Sequence, residues 1–242
     1  MIITSSSNDK IKYLKKLLQT KYRNSEGMFL VEGEHLVLEA YKSGNLLEII
    51  LKEGKTSPVD IKTTYVSDKI IKELSTLSTP IDIIGVCKKK EDNKVFGNKI
   101  LLLDNIQDPG NLGTIIRSSV AFNIDTLVLG SGCVDLYNPK VIRATQGLLF
   151  HQNIIERNLE ELITELKKEN YVILGTDVTN GKELKTLPKY DKYALIMGNE
   201  GHGIDPRINS LCDESIYIEM NNNCESLNVA VACSIILYQL NK

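Results

Sequence analysis

Five short apolar runs recur through the second half of the chain, and their spacing constrains the fold more than any other feature. They are Lys99–Asp104 (KILLLD), Thr126–Leu129 (TLVL), Tyr171–Leu174 (YVIL), Tyr193–Met197 (YALIM) and Ser215–Glu219 (SIYIE). Each is too short for a helix and apolar at most positions, as a strand buried on both faces must be. Helical segments lie between most of them. Asn158–Glu169 is one, with Asn158 placed as N-cap and Glu161 placed to complete a capping box. Strand–helix alternation predicts an α/β layer with a parallel sheet. No internal repeat of 20–50 residues interrupts the pattern.

The first part reads differently. Asn8–Leu18 places Ile11, Leu14, Leu17 and Leu18 at helical spacing. Met28–Glu32 is strand-like, Glu34–Ser43 is helical with Gly44 as its stop, and Leu46–Leu51 is strand-like again. Ser67–Ser78 reads as a helix and Ile81–Cys87 as a strand. The stretch Lys88–Lys94 (KKKEDNK) is charged and has no apolar member. This shift places a front domain at 1–90, a linker at 91–98 and a second domain at 99–242. A chain of 242 residues accommodates two such domains.

Charge sharpens the division. Residues 1–95 hold 16 Lys and Arg against 13 Asp and Glu, whereas the remainder holds 13 against 18. Lys10, Lys12, Lys15, Lys16, Lys21 and Arg23 face only Asp9 before Glu26. Such a run is either a solvated helix face or an arm that contacts phosphates. The net charge of −2 excludes a uniformly basic nucleic-acid coat. The five cysteines form no Cys-x-x-Cys pair, and His35, His151 and His202 stand singly, so neither a disulfide framework nor a metal site is expected. The polar start and the lack of an 18-residue apolar run point to a cytoplasmic protein with no membrane partner.

Ligands of parallel sheets bind beyond the carboxyl ends of the strands. Three segments occupy such positions. In Asp104–Arg117 (DNIQDPGNLGTIIR), Pro109-Gly110 makes a turn and Asn111 can cap a helix whose apolar stripe is Leu112, Ile115, Ile116 and Val120. Arg117 falls just outside that stripe, where its guanidinium can point into the crevice or into solvent. In Met197–Ile204 (MGNEGHGI), three glycines permit close backbone approach around Glu200. In Ile218–Asn228 (IEMNNNCESLN), Ser226 or its neighbours open a helix, Leu227–Leu240, that is apolar on every side and must be buried on every side, in part by a second subunit. Ser226 is not in Gly-x-Ser-x-Gly, which argues against a serine hydrolase. No Gly-x-Gly-x-x-Gly follows the first strand, which argues against a dinucleotide-dependent oxidoreductase.

Together and in this order, the three segments resemble the SpoU/TrmH family of RNA ribose 2′-O-methyltransferases, within the SPOUT superfamily. The matching residues are Asn111, Gly113 and Arg117, then Met197–Gly203 (MGNEGHG), then Ile218 and Met220 followed by Ser226–Val229 (SLNV). The front, with NDKIKYLKKL, KYRNSEGMFLVEGEHLVLEA and PIDIIGVCKK, is similar to the family's N-terminal RNA-binding substrate domain. The resemblance implies a C-terminal trefoil knot, an exception to unknotted connections. It also implies a homodimer through the knotted region and S-adenosylmethionine as cofactor. Gly198, Ile218, Leu227 and Thr176 would hold that cofactor. The family's catalytic set would map to Arg117, Asn111, Glu200, Ser226 and Asn228, with Arg117 acting as base or as a cation that stabilises the developing alkoxide. Lys15, Lys16, Lys21 and Arg23 would face RNA. The front domain points to large-subunit ribosomal RNA, with transfer RNA, or an RNA-binding role without catalysis, as the alternatives. One departure is Glu219, where the family often has proline; it places an acidic group beside the cofactor loop.

Overall fold

The computed structural model describes residues 2–90, 94, 97–178 and 180–241. Two compact units divide the chain: Met1–Glu91 with Asp135–His151, and Asp92–Val134 with Gln152–Lys242. The division differs at 135–151 from the one the sequence suggests, which groups this segment with the second domain. Of the linker expected at 91–98, residues 91–93, 95 and 96 lie outside the described residues.

The first unit begins with β1 (Ile2–Ile3), α1 (Asp9–Lys16), α2 (Thr20–Glu26), β2 (Met28–Glu32), α3 (Glu34–Lys42), β3 (Leu46–Lys52), β4 (Thr63–Val66), α4 (Asp68–Leu74) and β5 (Ile83–Lys88). Its sheet has the order β1-β4-β3-β5-β2 and is mixed: β1, β4 and β3 run parallel, while β5 pairs antiparallel with both β3 and β2. The helical spacing of Ile11, Leu14 and Leu17 has its expected consequence, since all three are buried against Ile50, Ile70, Ile71 and Ile84. Asn8 caps α1 by accepting the Lys10 amide at 3.0 Å. The expected helix over 67–78 is shorter, because the chain turns extended at Ser75.

The second unit starts with β6 (Lys99–Leu103), α5 (Pro109–Ala121) and β7 (Thr126–Leu129). The helix α6 (Pro139–Thr145) belongs to the first unit, where it packs on β2. The second unit resumes with β8 (Asn153–Glu156), α7 (Leu159–Lys168), β9 (Val172–Thr176), β10 (Lys182–Glu183), β11 (Tyr193–Met197), α8 (Pro206–Asn209), β12 (Glu214–Tyr217) and α9 (Val229–Leu240). The sheet order is β10-β12-β9-β11-β6-β7-β8, and every pairing is parallel. The central strands are buried along nearly their whole length, as their unbroken apolar runs require. One face packs Ile100, Leu102 and Ile196 against Leu162, Ile163 and Leu166 of α7. On α9, Val229, Ala230, Cys233, Ile236 and Leu237 are buried, while Val231, Ile235 and Tyr238 are exposed in this chain. Among the described residues no helix is long and apolar enough to cross a membrane.

One assignment from the sequence is corrected by burial. Arg23, expected to face RNA, is only 2% exposed. Its Nε donates to Asp135 Oδ2 at 3.2 Å, and its Nη2 bonds the same carboxylate and Thr20 Oγ1. Its Nη1 donates to the Leu17 carbonyl at 3.1 Å. A guanidinium so enclosed is a fastener of the first unit, and its anion comes from the segment that returns at 135–151. Beside it, Phe29 packs against Tyr137 and Phe150, with ring centroids at 4.5 and 6.3 Å. Removing one partner of a buried ion pair leaves the other charge uncompensated, at a cost of about 3–5 kcal/mol. Arg23→Ala is therefore expected to lower the denaturant midpoint of the first unit by a corresponding amount, read by chemical denaturation. An unchanged midpoint would show that the pair contributes nothing.

Candidate functional site

Because the sheet is parallel, the chain leaves β9, β11 and β12 on the same rim. Three loops follow these strands, and they line a cavity of about 500 Å³. The loop after β9 contributes Thr176 and Asp177; the loop after β11 contributes Gly198–Ile204; and the stretch after β12 contributes Ile218, Met220, Ser226 and Leu227. Val229, Ala232 and Ile236 of α9 close the apolar side. A cavity with apolar walls and a few polar groups is the usual form of a small-molecule site.

The loop after β11 is a tight turn held by its own backbone. Asn199 and Gly203 exchange amide–carbonyl bonds of 2.8 and 3.0 Å. The Asn199 side chain accepts from the Gly201 and His202 amides and donates to the Asn105 carbonyl at 2.9 Å. Gly203 has φ +70°, a conformation that glycine adopts without strain. Gly198 is required for a different reason. A Cβ there would lie 2.2 Å from the Gly203 carbonyl carbon and 2.3 Å from the Ile204 nitrogen.

Glu200 stands at the tip of this turn and joins the three motifs. Asn111 Nδ2 donates to Glu200 Oε1 at 3.0 Å, and Asn228 Nδ2 donates to Asn111 Oδ1 at 2.9 Å. Asn228 Oδ1 in turn accepts the Ala230 and Val231 amides as N-cap of α9. The orientation of each amide group follows from its neighbours. A carboxylate only accepts, so Asn111 must turn its NH2 to Glu200 and its oxygen to Asn228. The expectation that Asn111 caps its helix is corrected. Asp108 is the N-cap, accepting the Asn111 amide at 2.8 Å, and Pro109 occupies the first turn. Relieved of capping, the Asn111 side chain is available for the network. The last helix likewise begins at Val229, which leaves Ser226 and Leu227 in the loop.

The sequence-predicted residues therefore separate into groups. Thr176, Gly198, Glu200, Ile218, Ser226 and Leu227 line the cavity, and Asn111 and Asn228 are bonded at its edge. The Thr176 hydroxyl donates to the Ile196 carbonyl at 3.0 Å, so its oxygen faces a ligand only as an acceptor. Arg117 is exposed on α5 and is not part of the cavity wall, and its side chain makes no hydrogen bond or ion pair among the described residues. Glu219 does not line the cavity either. Its carboxylate pairs with Lys185 at 2.6 Å, and that hydrogen bond holds it below the usual carboxylate range. Of the basic residues at the front, Lys15 is paired with Glu73 at 2.6 Å, Lys16 lies 5.5 Å from the Tyr22 ring centroid, and Lys21 is exposed. Sequence reasoning missed Asn199, although an Asn opening a glycine-rich turn is a known signal for side-chain-to-backbone bonds. It also missed Asp104, which is buried at the end of β6, accepts the Asp205 amide at 2.7 Å, and is shifted upward by burial. Among the described residues no cluster of His, Cys, Asp and Glu is arranged to hold a metal.

Comparison with known proteins matches residues 98–238 to the SpoU rRNA Methylase family and residues 8–85 to the MRM3-like substrate binding domain. The chain is 40% identical over 243 residues to the 23S rRNA (guanosine(2553)-2′-O)-methyltransferase RlmP of Bacillus subtilis, covering 98% of each chain. Among solved structures it is similar to an RNA 2′-O ribose methyltransferase, with 27% identity, a TM-score of 0.85, and 99% and 98% of the two chains covered. It is also similar to an AdoMet-bound rRNA methyltransferase from Sinorhizobium meliloti, with 25% identity, a TM-score of 0.88, and 99% and 97% covered.

The geometry of the β11 turn generates a test of its own. Gly198→Ala forces a methyl group against the Gly203–Ile204 backbone, so the Asn199–Gly203 bridge must open. Hydrogen exchange at the Asn199 and Gly203 amides is expected to accelerate by about tenfold or more, equivalent to about 1.4 kcal/mol. Unchanged protection at both amides would contradict the packing described for this turn.

Proposed function

The chain belongs to the SpoU rRNA methylase family, and we propose that it transfers a methyl group from S-adenosylmethionine to the ribose 2′-hydroxyl of one guanosine in large-subunit ribosomal RNA. It is an RNA 2′-O-methyltransferase by family; the guanosine and its position, equivalent to 2553 of 23S rRNA, are the finer part of the reading. One observation carries the chemistry. The three strand-end loops enclose a single cavity, and the Asn228–Asn111–Glu200 chain joins residues of all three family motifs at its edge.

The residues present fit the cofactor. Ile218, Leu227, Val229 and Ile236 offer an apolar wall for a purine, Thr176 an acceptor oxygen, and Asp177 and Glu200 negative charge toward a cationic centre. In this reading Gly198, Ile218, Leu227 and Thr176 hold it, the first three by backbone and apolar contact. When bound, S-adenosylmethionine supplies a methyl group already activated by its sulfonium charge.

The chain's own task is the other partner, a hydroxyl scarcely ionised at neutral pH. Holding two reactants in line is worth roughly 7–11 kcal/mol in favourable cases. Asn111, Glu200 and Asn228 supply that rigidity, each side chain fixed by the next. Ser226 lines the cavity from the third loop and is placed to contact the nucleotide. Arg117, exposed and without a partner among the described residues, offers a planar cation with five donors. That exposure favours a cationic role, gripping a flanking phosphate and stabilising the developing alkoxide. The first unit, with Lys16 and Lys21 at its surface, holds the RNA. The trefoil knot belongs to the same reading. So does a homodimer, supported by the exposed apolar face of α9, where Tyr238 is 63% exposed and packs edge-on against Phe122 at 5.9 Å.

Two outcomes are expected. Arg117→Ala abolishes methyl transfer to a ribosomal RNA fragment while S-adenosylmethionine affinity, measured by calorimetry, stays within a few fold; normal turnover would refute the assignment. Ile235→Asp converts a dimer at micromolar concentration to a monomer in sedimentation velocity. A wild-type chain that sediments as a monomer would remove the dimer from this account.

A further inference from the structure

A second cavity, of about 610 Å³, lies on the other side of the β11 turn. Asn199, His202, Gly203 and Ile204 line both cavities, so this turn is a shared wall. The far walls come from Asp104 after β6, from Ser131 after β7, and from Asn158 and Glu160 at the start of α7. Asp205 and Arg207 also line it, and the two are tied together by bonds of 3.1 and 2.9 Å. Asp104, Glu160 and Asp205 thus set three carboxylates against one guanidinium. A phosphate would be repelled. A neutral ligand that presents N–H donors would not.

Asp104 gives the cavity its specific demand. It is only 7% exposed, and its Oδ2 accepts the Asp205 amide, but no described group donates to its Oδ1. Among the described residues no side-chain oxygen is both fully buried and unpartnered, so this oxygen is open to the cavity and free to accept from a ligand donor. Single-stranded RNA is read by splaying a base into a protein pocket and bonding its Watson–Crick edge. Guanine is the RNA base whose edge carries two adjacent donors, N1–H and the N2 amino group.

We infer that this second cavity receives the base of the target guanosine, with N1–H and the N2 amino group directed at Asp104, while the shared turn presents the attached ribose to the first cavity. The inference rests on the methyltransferase reading above and adds a base-specific residue to it. Asp104 is then a specificity-determining residue, distinct from the groups that hold the ribose.

The test uses the full chain and synthetic ribosomal RNA fragments centred on the guanosine equivalent to 2553, or carrying inosine there. Inosine lacks only the N2 amino group. The wild type is expected to prefer guanosine over inosine by at least tenfold in kcat/KM. Asp104→Asn keeps an acceptor for the Asp205 amide. It is expected to lose at least tenfold on guanosine and to erase the preference, with S-adenosylmethionine affinity changed less than threefold. Ser131→Trp, which fills the cavity from the loop after β7, is expected to raise KM for the guanosine fragment at unchanged cofactor affinity. Equal use of guanosine and inosine by the wild type, or an undiminished preference in Asp104→Asn, would overturn the inference and leave the methyltransferase reading intact. A wild-type chain that binds S-adenosylmethionine but methylates neither fragment would overturn the proposed target, and the base pocket with it.

Discussion

The Asn111 side chain holds the functional rim together. It donates to Glu200 and accepts from Asn228, and so links the start of α5, the turn after β11 and the cap of α9. Each of these loops is anchored elsewhere: Asp108 caps α5, Asn199 binds its own turn, and Asn228 holds two amides of α9. The parallel sheet brings the loops to one end, and the amide–carboxylate chain makes them one surface. An exposed hydrogen bond is individually modest, at about 1 kcal/mol. What the chain contributes is orientation, because each amide group has a single arrangement that satisfies both neighbours.

The turn after β11 is the structural hinge between two chemistries. On one side it faces a cavity whose apolar walls suit a purine and whose carboxylates suit a cation. On the other it faces a cavity lined by three carboxylates and one guanidinium among polar and apolar groups. Any side chain at position 198 would collide with the backbone of residues 203 and 204, so the thinness of this wall depends on a missing Cβ. Family membership accounts for the fold and the reaction class; the substrate must be argued from the sites the fold carries.

Much of this was legible in the sequence. The strands at 126–129 and 193–197 fall where their apolar runs place them, because a fully buried parallel strand leaves an unbroken signal. The segments after β6, β11 and β12 were recognisable because glycines, Asn and Pro cluster at these strand ends. The start of α5 was misread, since Asp108-Pro109 and Asn111 both carry cap chemistry and local pattern does not rank them. The consequence of that misreading was functional: with Asp108 as the cap, the Asn111 side chain joins Glu200 and Asn228 instead of its own helix. Arg23 was misread because its anion, Asp135, lies 112 residues away. For the same reason the union of 135–151 with the first unit was invisible: it depends on Phe29 meeting Tyr137 and Phe150, and periodicity records only neighbours in sequence. β4 (TTYV) and β8 (NIIE) are no shorter than the strand at 126–129, but neither is a mostly apolar run, so neither stands out.

The central claim, methylation of one ribose in large-subunit RNA, is tested most directly by mapping ribose 2′-O-methyl groups across 23S rRNA from cells with this gene intact, deleted and restored. The account predicts that one guanosine, at the position equivalent to 2553, loses its 2′-O-methyl group on deletion and regains it on restoration. An identical methylation map in all three would contradict it.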